Sequence, residues 1–483
     1  MRNDEARSTG PGLVIEIDRS RRRAIAEQIA GSIRDAIVDG RLAEGARLPS
    51  WVDLAAQLGV ARGTVRRAYE ILADEQRVVA SGASGTLVAR PIADERPPGA
   101  QPRPGGRPLP DPMPGMTPAY EAPSLPFQNG VPAQEAYPVK VWARLLGRAA
   151  RARAVESTVQ PDPRGDPGLR AQIAAHLAVA RGIDCAPDQV VMTSGFRSGL
   201  TLAIAARGRP GAEAWVEDPG FPVIRRSLEW QGMRPVAAPV DAQGLDVAAA
   251  EARAPGAALA VVSACQHAPL GMALSPARRR ALLDWAARSG AWIVEDDFLA
   301  ELQLDGRAVP ALAAEDDRGS VIHLGTFAKT LGQMIGLGFV VSPPAIAGRV
   351  AEVAAHVLPA PCPIAQRGLM HFLEEGHYLR HLRRTRTLYA ERRGRLLAAL
   401  AEAGIEAAPS GPAALVWLRA DADDAAMQEA GWARGIAPGP LSGWFVDPAL
   451  RRPGALICAT NFDARAEAAA LPRLLEVLRP HLP

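Results

Sequence analysis

Residues 321–331 read VIHLGTFAKTL, a short apolar run that ends in small residues and a lysine, Lys329. The run is predicted to be a buried strand, because it is short and rich in branched apolar side chains. Lysine is scarce in this chain: only Lys140 and Lys329 occur among 55 lysines and arginines. Since arginine stays protonated and cannot form an imine, a lysine at a strand end indicates chemistry with an aldehyde cofactor.

Similar apolar runs occur upstream of this stretch. They read QVVMTSG at 189–195, AWVED at 214–218, AALAVVSA at 257–264 and AWIVEDD at 291–297. Helical patterns separate them, and strands that alternate with helices are typical of an α/β domain with a largely parallel sheet. We therefore assign residues 124–483 to an α/β domain.

Several residues at these strand ends suit a cofactor that carries a ring and a phosphate. Asp296 can pair with a protonated ring nitrogen, and Phe221 can lie flat on a ring. Gly195 precedes a helical run, where backbone N–H groups favour a phosphate. Each residue alone is also explained as a cap, a turn or a core residue, so only the combination favours a site. The predicted cofactor-binding residues are Lys329 (the catalytic Schiff-base lysine), Asp296, Gly195, Phe196, Arg197, Phe221 and Thr326.

Residues 13–90 form a second, smaller pattern. Isoleucines recur every four residues from Ile25 to Ile37, which predicts an amphipathic helix. Two shorter helical patterns follow, and then two alternating runs separated by SGASG at 81–85, which predicts a hairpin. Helix, helix, turn, helix and hairpin describe a winged helix-turn-helix. The alternative is an ordinary three-helix module whose arginines are merely solvated.

The third helix of this unit is the predicted recognition helix. It begins near Arg62, within ARGTVRR at 61–67, so its N-terminal end would enter the major groove of DNA. Arg62 can bond a guanine edge through two parallel hydrogen bonds, whereas Arg66 and Arg67 suit phosphates. The wing glycines Gly82 and Gly85 permit a tight turn. The predicted DNA-binding residues are Arg62, Gly63, Thr64, Arg66, Arg67, Ser50 and Gly85.

Residues 91–123 are crowded with proline and glycine and are predicted to be an extended linker. The net charge of +3 is small, so DNA contact must come from the placement of charges. The chain lacks an apolar run of the roughly 18 residues that a membrane span needs, and it begins without the apolar core of a signal peptide. The four cysteines form no CxxC pair, so we expect a cytoplasmic bacterial protein without a metal site.

Two stretches of the smaller unit carry a family resemblance. GARLPS at 45–50 and LAAQLGVARGTVRRAYEILADE at 54–75 resemble the DNA-binding domain of GntR-type regulators. One position departs from that family, which usually has arginine where this chain has Val52. Because the family's arginine helps to hold DNA, the affinity or the preferred site is expected to differ here.

Residues 124–483 resemble the aminotransferase-like domain of MocR regulators, a subfamily of the GntR type. The resemblance implies a fold type I aminotransferase-like large domain, dependent on pyridoxal 5'-phosphate (PLP), with a smaller α+β subdomain. It also implies PLP bound through Lys329, Asp296 on its ring nitrogen, and a homodimer. The segments that carry it, in family order, are DPRGDPGLR at 162–170, VMTSG at 191–195, VEDPGFP at 216–222, SPARRRALLDWA at 275–286, VEDDF at 294–298 and LGTFAKTLG at 324–332.

Five positions have lost polar groups that this family usually carries. Phe298 replaces a tyrosine that bonds the cofactor's phenolic oxygen, and Gly336 replaces an arginine for the cofactor phosphate. Ile457 aligns with an arginine for the substrate carboxylate. Residues 263–271, SACQHAPLG, replace a stretch that usually reads roughly TPSHQFPTG, and Gln160 replaces a tyrosine.

These losses favour sensing over turnover. We expect a transcription regulator that binds a double-stranded DNA operator and senses a small-molecule effector (an amine, an amino acid or PLP itself), with little or no transaminase activity. Cofactor binding is expected to survive in weakened form, with Arg197 partly replacing the lost phosphate arginine. One alternative is an active PLP-dependent aminotransferase with a DNA-binding domain. A second is a PLP-free regulator that uses the domain as a dimerisation scaffold.

Overall fold

The computed structural model of the chain describes residues 15, 17–19, 24–80, 85–89, 122–154, 159–306, 309–461 and 464–483. The chain divides into two compact units, Met1–Pro110 and Asp111–Pro483. The predicted linker falls largely outside the described residues, as does the hairpin turn at 81–84 with Gly82.

The described residues of the first unit form three helices and a hairpin, as predicted. The helices are α1 (Ile25–Val38), α2 (Trp51–Leu58) and α3 (Arg62–Asp74), and the hairpin joins β1 (Val78–Ala80) to β2 (Thr86–Val88). The strands pair antiparallel, with Val78 opposite Val88.

The isoleucine stripe explains the packing of this unit. Ile29 and Ile33 are fully buried against Val65 and Leu72 of α3, which carries five charged residues on its exposed side. One-sided burial of this kind is what an apolar stripe at helical spacing provides. Gly59 ends α2 in the left-handed conformation, at φ +62°, and so permits the tight turn before α3.

The second unit is built on an eight-stranded sheet. Its strands are β3 (Val190–Thr193), β4 (Glu213–Asp218), β5 (Arg234–Asp241), β6 (Gly244–Leu245), β7 (Leu259–Val262), β8 (Trp292–Asp297), β9 (Val321–Thr326) and β10 (Gly338–Val341). The spatial order is β3-β10-β9-β8-β7-β4-β5-β6. The neighbours from β9 to β5 are parallel, whereas β10 runs antiparallel to β9 and β3, and β6 antiparallel to β5.

Helices cover both faces of this sheet, as they must when strands are apolar on both sides. The helices of this unit are α4 (Val139–Ala154), α5 (Pro167–Ala180), α6 (Phe196–Arg207), α7 (Pro222–Trp230), α8 (Val247–Arg253), α9 (Pro276–Ser289), α10 (Ala328–Leu331), α11 (Pro344–Val357), α12 (Pro363–Glu374) and α13 (His377–Glu402). One apolar core includes α6, α7 and α11, and the opposite face packs against α5, α8, α9 and α12. The predicted α/β architecture is therefore confirmed.

A smaller α+β subdomain completes the second unit. It contains β11 (Ala408–Ser410), β12 (Ala413–Trp417), β13 (Gly439–Pro440), β14 (Gly454–Cys458), α14 (Asp424–Ala433) and α15 (Ala464–Leu478). Its four strands form an antiparallel sheet in the order β11-β12-β14-β13. Among the described residues, no helix combines the length and hydropathy that crossing a bilayer requires.

Candidate cofactor site and DNA-binding surface

The register of three strands brings the predicted cofactor residues to one edge of the sheet. Gly338, the first residue of β10, pairs with Thr193 on one side and with Thr326 on the other. Gly195 lies two residues beyond Thr193, and Lys329 three residues beyond Thr326. A Cβ atom on Gly338 would lie 2.9 Å from the Cα atom of Gly195, so this close approach requires glycine.

Gly195 provides space for a phosphate at the start of α6. It adopts φ +103° as the N-cap of this twelve-residue helix, and a Cβ atom there would meet no atom within 4 Å. The first N–H groups of a helix have no partner within it and attract anions. Phe196 is the first residue of α6, and Arg197 is exposed in its first turn.

Lys329 is partly buried just beyond the same edge. A Cβ atom on Gly130 would lie only 2.7 Å from its Nζ atom, so the amine packs directly against the Gly130 backbone. Burial lowers the pKa of Lys329, while Cys458 and Asp296 act in the opposite direction. A lowered pKa favours the neutral amine, which is the form that attacks an aldehyde. The other lysine, Lys140, is exposed on α4.

Asp296 fits a protonated ring nitrogen. It is buried, and its Oδ1 atom has no hydrogen-bond partner among the described residues. Burial raises its pKa well above the ordinary range, the Asp297 charge raises it further, and Lys329 opposes the shift. A buried oxygen without a partner is costly, and a cationic donor would satisfy it. Together with the open space at Gly195 and the Lys329 amine, these groups fit PLP.

Aromatic rings line one wall near Gly195. The Phe221 ring lies 6.2 Å from the Phe196 ring and 5.8 Å from the Trp444 ring, measured between centroids. Phe221 precedes α7 and is only partly buried, so its stacking on a cofactor ring stays a prediction. The Thr326 hydroxyl accepts the Ala328 N–H at 3.2 Å and so shapes the turn that carries Lys329.

The substituted positions differ in their consequences. Phe298 is partly buried and offers no hydroxyl, and Gln160 is exposed. Gly336 adopts φ +55° with open space where a side chain would begin. Ile457 does not line the site, because its side chain is fully buried in the subdomain core. Successive residues of a strand face opposite sides, so Cys458 is the residue of β14 that lies near Lys329.

The buried pair Glu217 and His267 was not predicted from the sequence. Both Glu217 oxygens accept the Ser263 N–H, at 3.1 Å each, and the His267 Nε2 atom lies 3.8 Å from Glu217 Oε2. Burial lowers the pKa of His267 to about 4 and raises that of Glu217 to about 7. Glu217 is also close enough to Asp296 to raise its pKa. The only hint in the sequence was that residues 263–271 depart from the family pattern.

Glu217→Gln is expected to change how stability depends on pH. Burial raises the pKa of Glu217 from 4.5 to about 7. Between those values the unfolded chain releases a proton that the folded domain retains, so the free energy of unfolding falls as the pH rises. Relative to wild type, Glu217→Gln should gain about 3 kcal/mol between about pH 4 and about pH 8. Thermal unfolding of wild type and Glu217→Gln at about pH 4 and about pH 8 measures this difference. The same difference in stability at both pH values would contradict it.

The segment 125–131 links the start of the second unit to Lys329. Its Pro126 carbonyl accepts the Ala437 N–H at 2.8 Å, and its Phe127 carbonyl accepts the Cys458 N–H at 3.2 Å. The Thr460 hydroxyl donates to the Val131 carbonyl. This segment, which we call the entry segment, therefore bonds to residues in and next to the subdomain sheet and abuts Lys329 at Gly130. Its pattern of apolar and polar residues gave no sequence signal.

The α3 surface presents most of the predicted DNA-binding residues. Arg62, Gly63, Arg66 and Arg67 are exposed, and Thr64 is partly buried. The Glu70 carboxylate contacts Arg66 at 3.2 Å and Arg67 at 3.4 Å. Exposed pairs of this kind contribute little and are readily exchanged for phosphate contacts.

Two further predicted residues lie beside this surface. Ser50 is the N-cap of α2, and its hydroxyl accepts the Asp53 N–H at 3.1 Å, which gives it a structural role. Gly85 adopts φ +81°, and a Cβ atom there would lie 3.4 Å from the Arg47 guanidinium. Arg47 is exposed and pairs with Leu87 in an antiparallel bridge. It is an additional candidate for DNA contact that residue type alone did not single out.

Known protein families match both units of the chain. The family model "Aminotransferase class I and II" matches residues 127–441, and "Bacterial regulatory proteins, gntR family" matches residues 25–88. Among solved structures, a Pyrococcus horikoshii kynurenine aminotransferase has a TM-score of 0.67 and 22% identity, over 74% of this chain and 92% of its own. An archaeal alanine:glyoxylate aminotransferase matches equally well, with 21% identity over the same shares. These two likenesses show the fold alone.

Curated relatives match across both units. The probable rhizopine catabolism regulatory protein MocR of Rhizobium meliloti is 32% identical over 86% of this chain and 83% of its own. The transcriptional regulator TauR of Rhodobacter capsulatus is 32% identical over 87% and 89%. The pyridoxine biosynthesis regulator PdxR of Corynebacterium glutamicum is 33% identical over 77% of each chain. The chain therefore belongs to the MocR family of GntR-type transcription regulators, which join a helix-turn-helix domain to an aminotransferase-like domain.

Proposed function

We propose that this protein is a DNA-binding regulator whose aminotransferase-like domain binds PLP through Lys329 and senses a small molecule with little or no transaminase turnover. The observation that carries this proposal is the grouping of Lys329, Asp296 and Gly195 at one sheet edge. Bound PLP supplies an electrophilic aldehyde there. Lys329 would hold that aldehyde, Asp296 would hold the ring nitrogen, and the N-terminus of α6 would hold the phosphate.

Loss of polar groups supports sensing rather than turnover. Transamination needs a firm grip on the substrate carboxylate, and a bidentate arginine contact is among the strongest available. Removing such a contact costs several kcal/mol, or about a hundredfold or more in affinity. Cys458 faces Lys329 on β14, where it offers no positive charge. We therefore expect amines without an α-carboxylate, or PLP itself, to be preferred as effectors over amino acids.

A buried arginine next to the end of β14 already has an acidic partner. Arg392 is 3% exposed, contacts Glu135 and donates to the Thr460 carbonyl at 2.6 Å. Its charge is offset by Glu135, so recruiting it to a ligand carboxylate would leave Glu135 without this cation. Its position supports the same effector class.

The entry segment contacts both the cofactor lysine and the subdomain, so it can respond to ligand binding. It contacts Lys329 at Gly130 and the subdomain through Pro126, Phe127 and Val131. Ligand binding shifts a conformational equilibrium only through different affinities for the two states. A ligand that moves the Lys329 amine would change the packing of this segment and so bias the DNA-binding units of a homodimer.

The homodimer is tested separately. Light scattering should give about twice the chain mass of 51.0 kDa.

PLP titration of the purified full chain tests the cofactor part of this proposal. Wild type should develop the visible absorbance of an imine and become yellow. Amino-acid turnover with an oxo-acid acceptor would instead favour an active aminotransferase. A colourless protein after PLP addition would favour a PLP-free dimerisation scaffold.

Arg197→Ala is expected to weaken PLP binding by about tenfold, because it removes a positive charge from the first turn of the phosphate-binding helix. Fluorescence or absorbance titration with PLP gives the Kd of variant and wild type. Arg207→Ala, at the opposite end of α6, is the matched control and should leave the Kd unchanged. An unchanged Kd in Arg197→Ala would show that Arg197 does not replace the lost phosphate arginine.

Val52→Arg is expected to strengthen DNA binding. Val52 is partly buried in the first turn of α2, next to the exposed Trp51, so an arginine there can extend to a phosphate. One added phosphate contact should steepen the dependence of log K on log salt by about one. DNA titrations at several salt concentrations measure the slope, with Val52→Gln as an uncharged control. A slope equal to that of wild type would contradict the prediction.

A further inference from the structure

Three consecutive acids end β8, and the strand sends them to opposite faces. Asp296 faces the cofactor side, whereas Glu295 and Asp297 face the other side, because side chains alternate along a strand. All three are buried. Three adjacent carboxylates cannot all ionise in a buried site without nearby positive charge. The source of that positive charge therefore decides whether Asp296 can be an anion.

Arg181 provides a fixed cation behind Asp296. It is 2% exposed and lies at the C-terminal end of α5. Its Nε atom donates to Asp297 Oδ2 at 2.7 Å, its Nη1 atom to the Val309 carbonyl at 2.9 Å, and its Nη2 atom to Cys265 Sγ at 2.8 Å. All three guanidinium nitrogens are thus held, so Arg181 cannot swing away from Asp297.

Glu295 is compensated separately. It contacts His323 Nδ1 at 2.9 Å and accepts the N–H groups of Leu312 at 2.6 Å and Ala313 at 3.1 Å. The other ring nitrogen of His323 lies 3.7 Å from Asp297 Oδ2. Backbone N–H groups stabilise the Glu295 carboxylate without adding a net charge. Arg181 is therefore the permanent cation in direct contact with Asp297.

The charge on Asp297 acts through the strand on Asp296. After burial, Asp297 is the largest influence that raises the pKa of Asp296, and Lys329 is the influence that lowers it. Once Lys329 is bound in an imine it is no longer a free amine that can carry a charge beside Asp296, so the ionisation of Asp296 depends more on the charges at the opposite face of β8. Further charged or titratable groups that face Asp297, Arg181 or Asp296 are Glu217, Glu295, Glu301, His323 and Cys265.

We propose that Arg181 is a positioning residue that allows Asp296 to ionise against the protonated ring nitrogen of PLP, by cancelling the charge of Asp297 from the opposite face of β8. The inference rests on the proposed binding of PLP. Arg181 touches neither cofactor nor effector, and it acts only through Asp297 and Asp296. Replacing Arg181 should therefore weaken recognition of the ring nitrogen and leave recognition of the rest of the cofactor unchanged.

The test compares PLP with its 1-deaza analogue, in which carbon replaces the ring nitrogen, on the full chain. Wild type should bind PLP about tenfold or more tightly than the analogue, because only PLP can pair with ionised Asp296. Arg181→Gln should lose most of that preference. The double variant Arg181→Gln/Asp297→Asn should regain it, since both members of the pair are then neutral. Asp297→Asn alone should keep or increase the preference.

Several results would overturn the inference. The inference is overturned if Arg181→Gln keeps the full preference for PLP over the 1-deaza analogue. It is also overturned if the double variant fails to regain that preference. Equal weakening of both ligands would assign Arg181 a structural role only. If Arg181→Gln does not fold, Asp297→Asn decides the question, because a lost preference there contradicts the charge argument. Wild type that binds neither ligand would refute the proposed function itself, which is a separate result from a preference that ignores Arg181.

Discussion

Replacing Lys329 with alanine is expected to abolish the yellow imine absorbance that PLP gives with the wild-type chain. The imine needs a primary amine, and arginine cannot supply one. The only other lysine, Lys140, is exposed on α4, in a chain with 55 lysines and arginines. Loss of the imine should also weaken retention of PLP on gel filtration, because the covalent link is gone.

The scarcity of lysine provides an unusually clean control. Lys140→Ala should keep the full absorbance, since that lysine is exposed on α4. Reduction of the wild-type imine with borohydride, followed by peptide mapping, should label the peptide that contains Lys329 alone. Labelling of Lys140, or absorbance that survives in Lys329→Ala, would contradict the assignment.

Arg62→Ala is expected to produce the largest loss of DNA specificity. Arg62 is exposed and begins α3, so a bidentate contact to a guanine is available to it. Losing such a contact costs about 1–3 kcal/mol and relaxes the preference at one base pair. The measurement is affinity for a duplex selected by wild type from a random pool, and for its single-base variants.

Two further variants distinguish base reading from charge. Arg67→Ala should weaken all duplexes by a similar factor and reduce the salt slope by about one, as a phosphate contact does. Arg41→Ala removes an arginine paired with Asp39 beyond α1 and should leave binding unchanged. If Arg62→Ala weakens every base variant equally, Arg62 contacts phosphate and another residue reads the base.

Local sequence patterns predicted the elements of this fold because each pattern reports a local requirement. The isoleucine stripe of α1 and the apolar runs that became β3, β4, β7, β8 and β9 all match the structure. The antiparallel insertion of β10 between β3 and β9 could not be predicted, because strand order depends on contacts between distant residues. That insertion places Gly338 between Thr193 and Thr326 and so creates the edge at which Gly195 and Lys329 meet.

The candidate site was predictable where residue type carries the chemistry. Lys329 and Asp296 could be identified because few side chains form an imine or pair with a ring nitrogen. Which residue of β14 faces Lys329 was harder to predict, because a shift of one residue exchanges the two faces of a strand. Cys458 lies near Lys329, whereas Ile457 is buried in the subdomain core. Arg181 could not be distinguished from the many other arginines, because its role depends on burial against Asp297.

The most direct test of the central claim is the DNA affinity of the full chain with and without PLP. Wild type, measured on its selected duplex, should change affinity when PLP is added and change again when a simple amine competes with Lys329. Lys329→Ala should bind the same duplex but respond to neither addition. A wild-type affinity that ignores both additions, or an equal response in Lys329→Ala, would contradict the account.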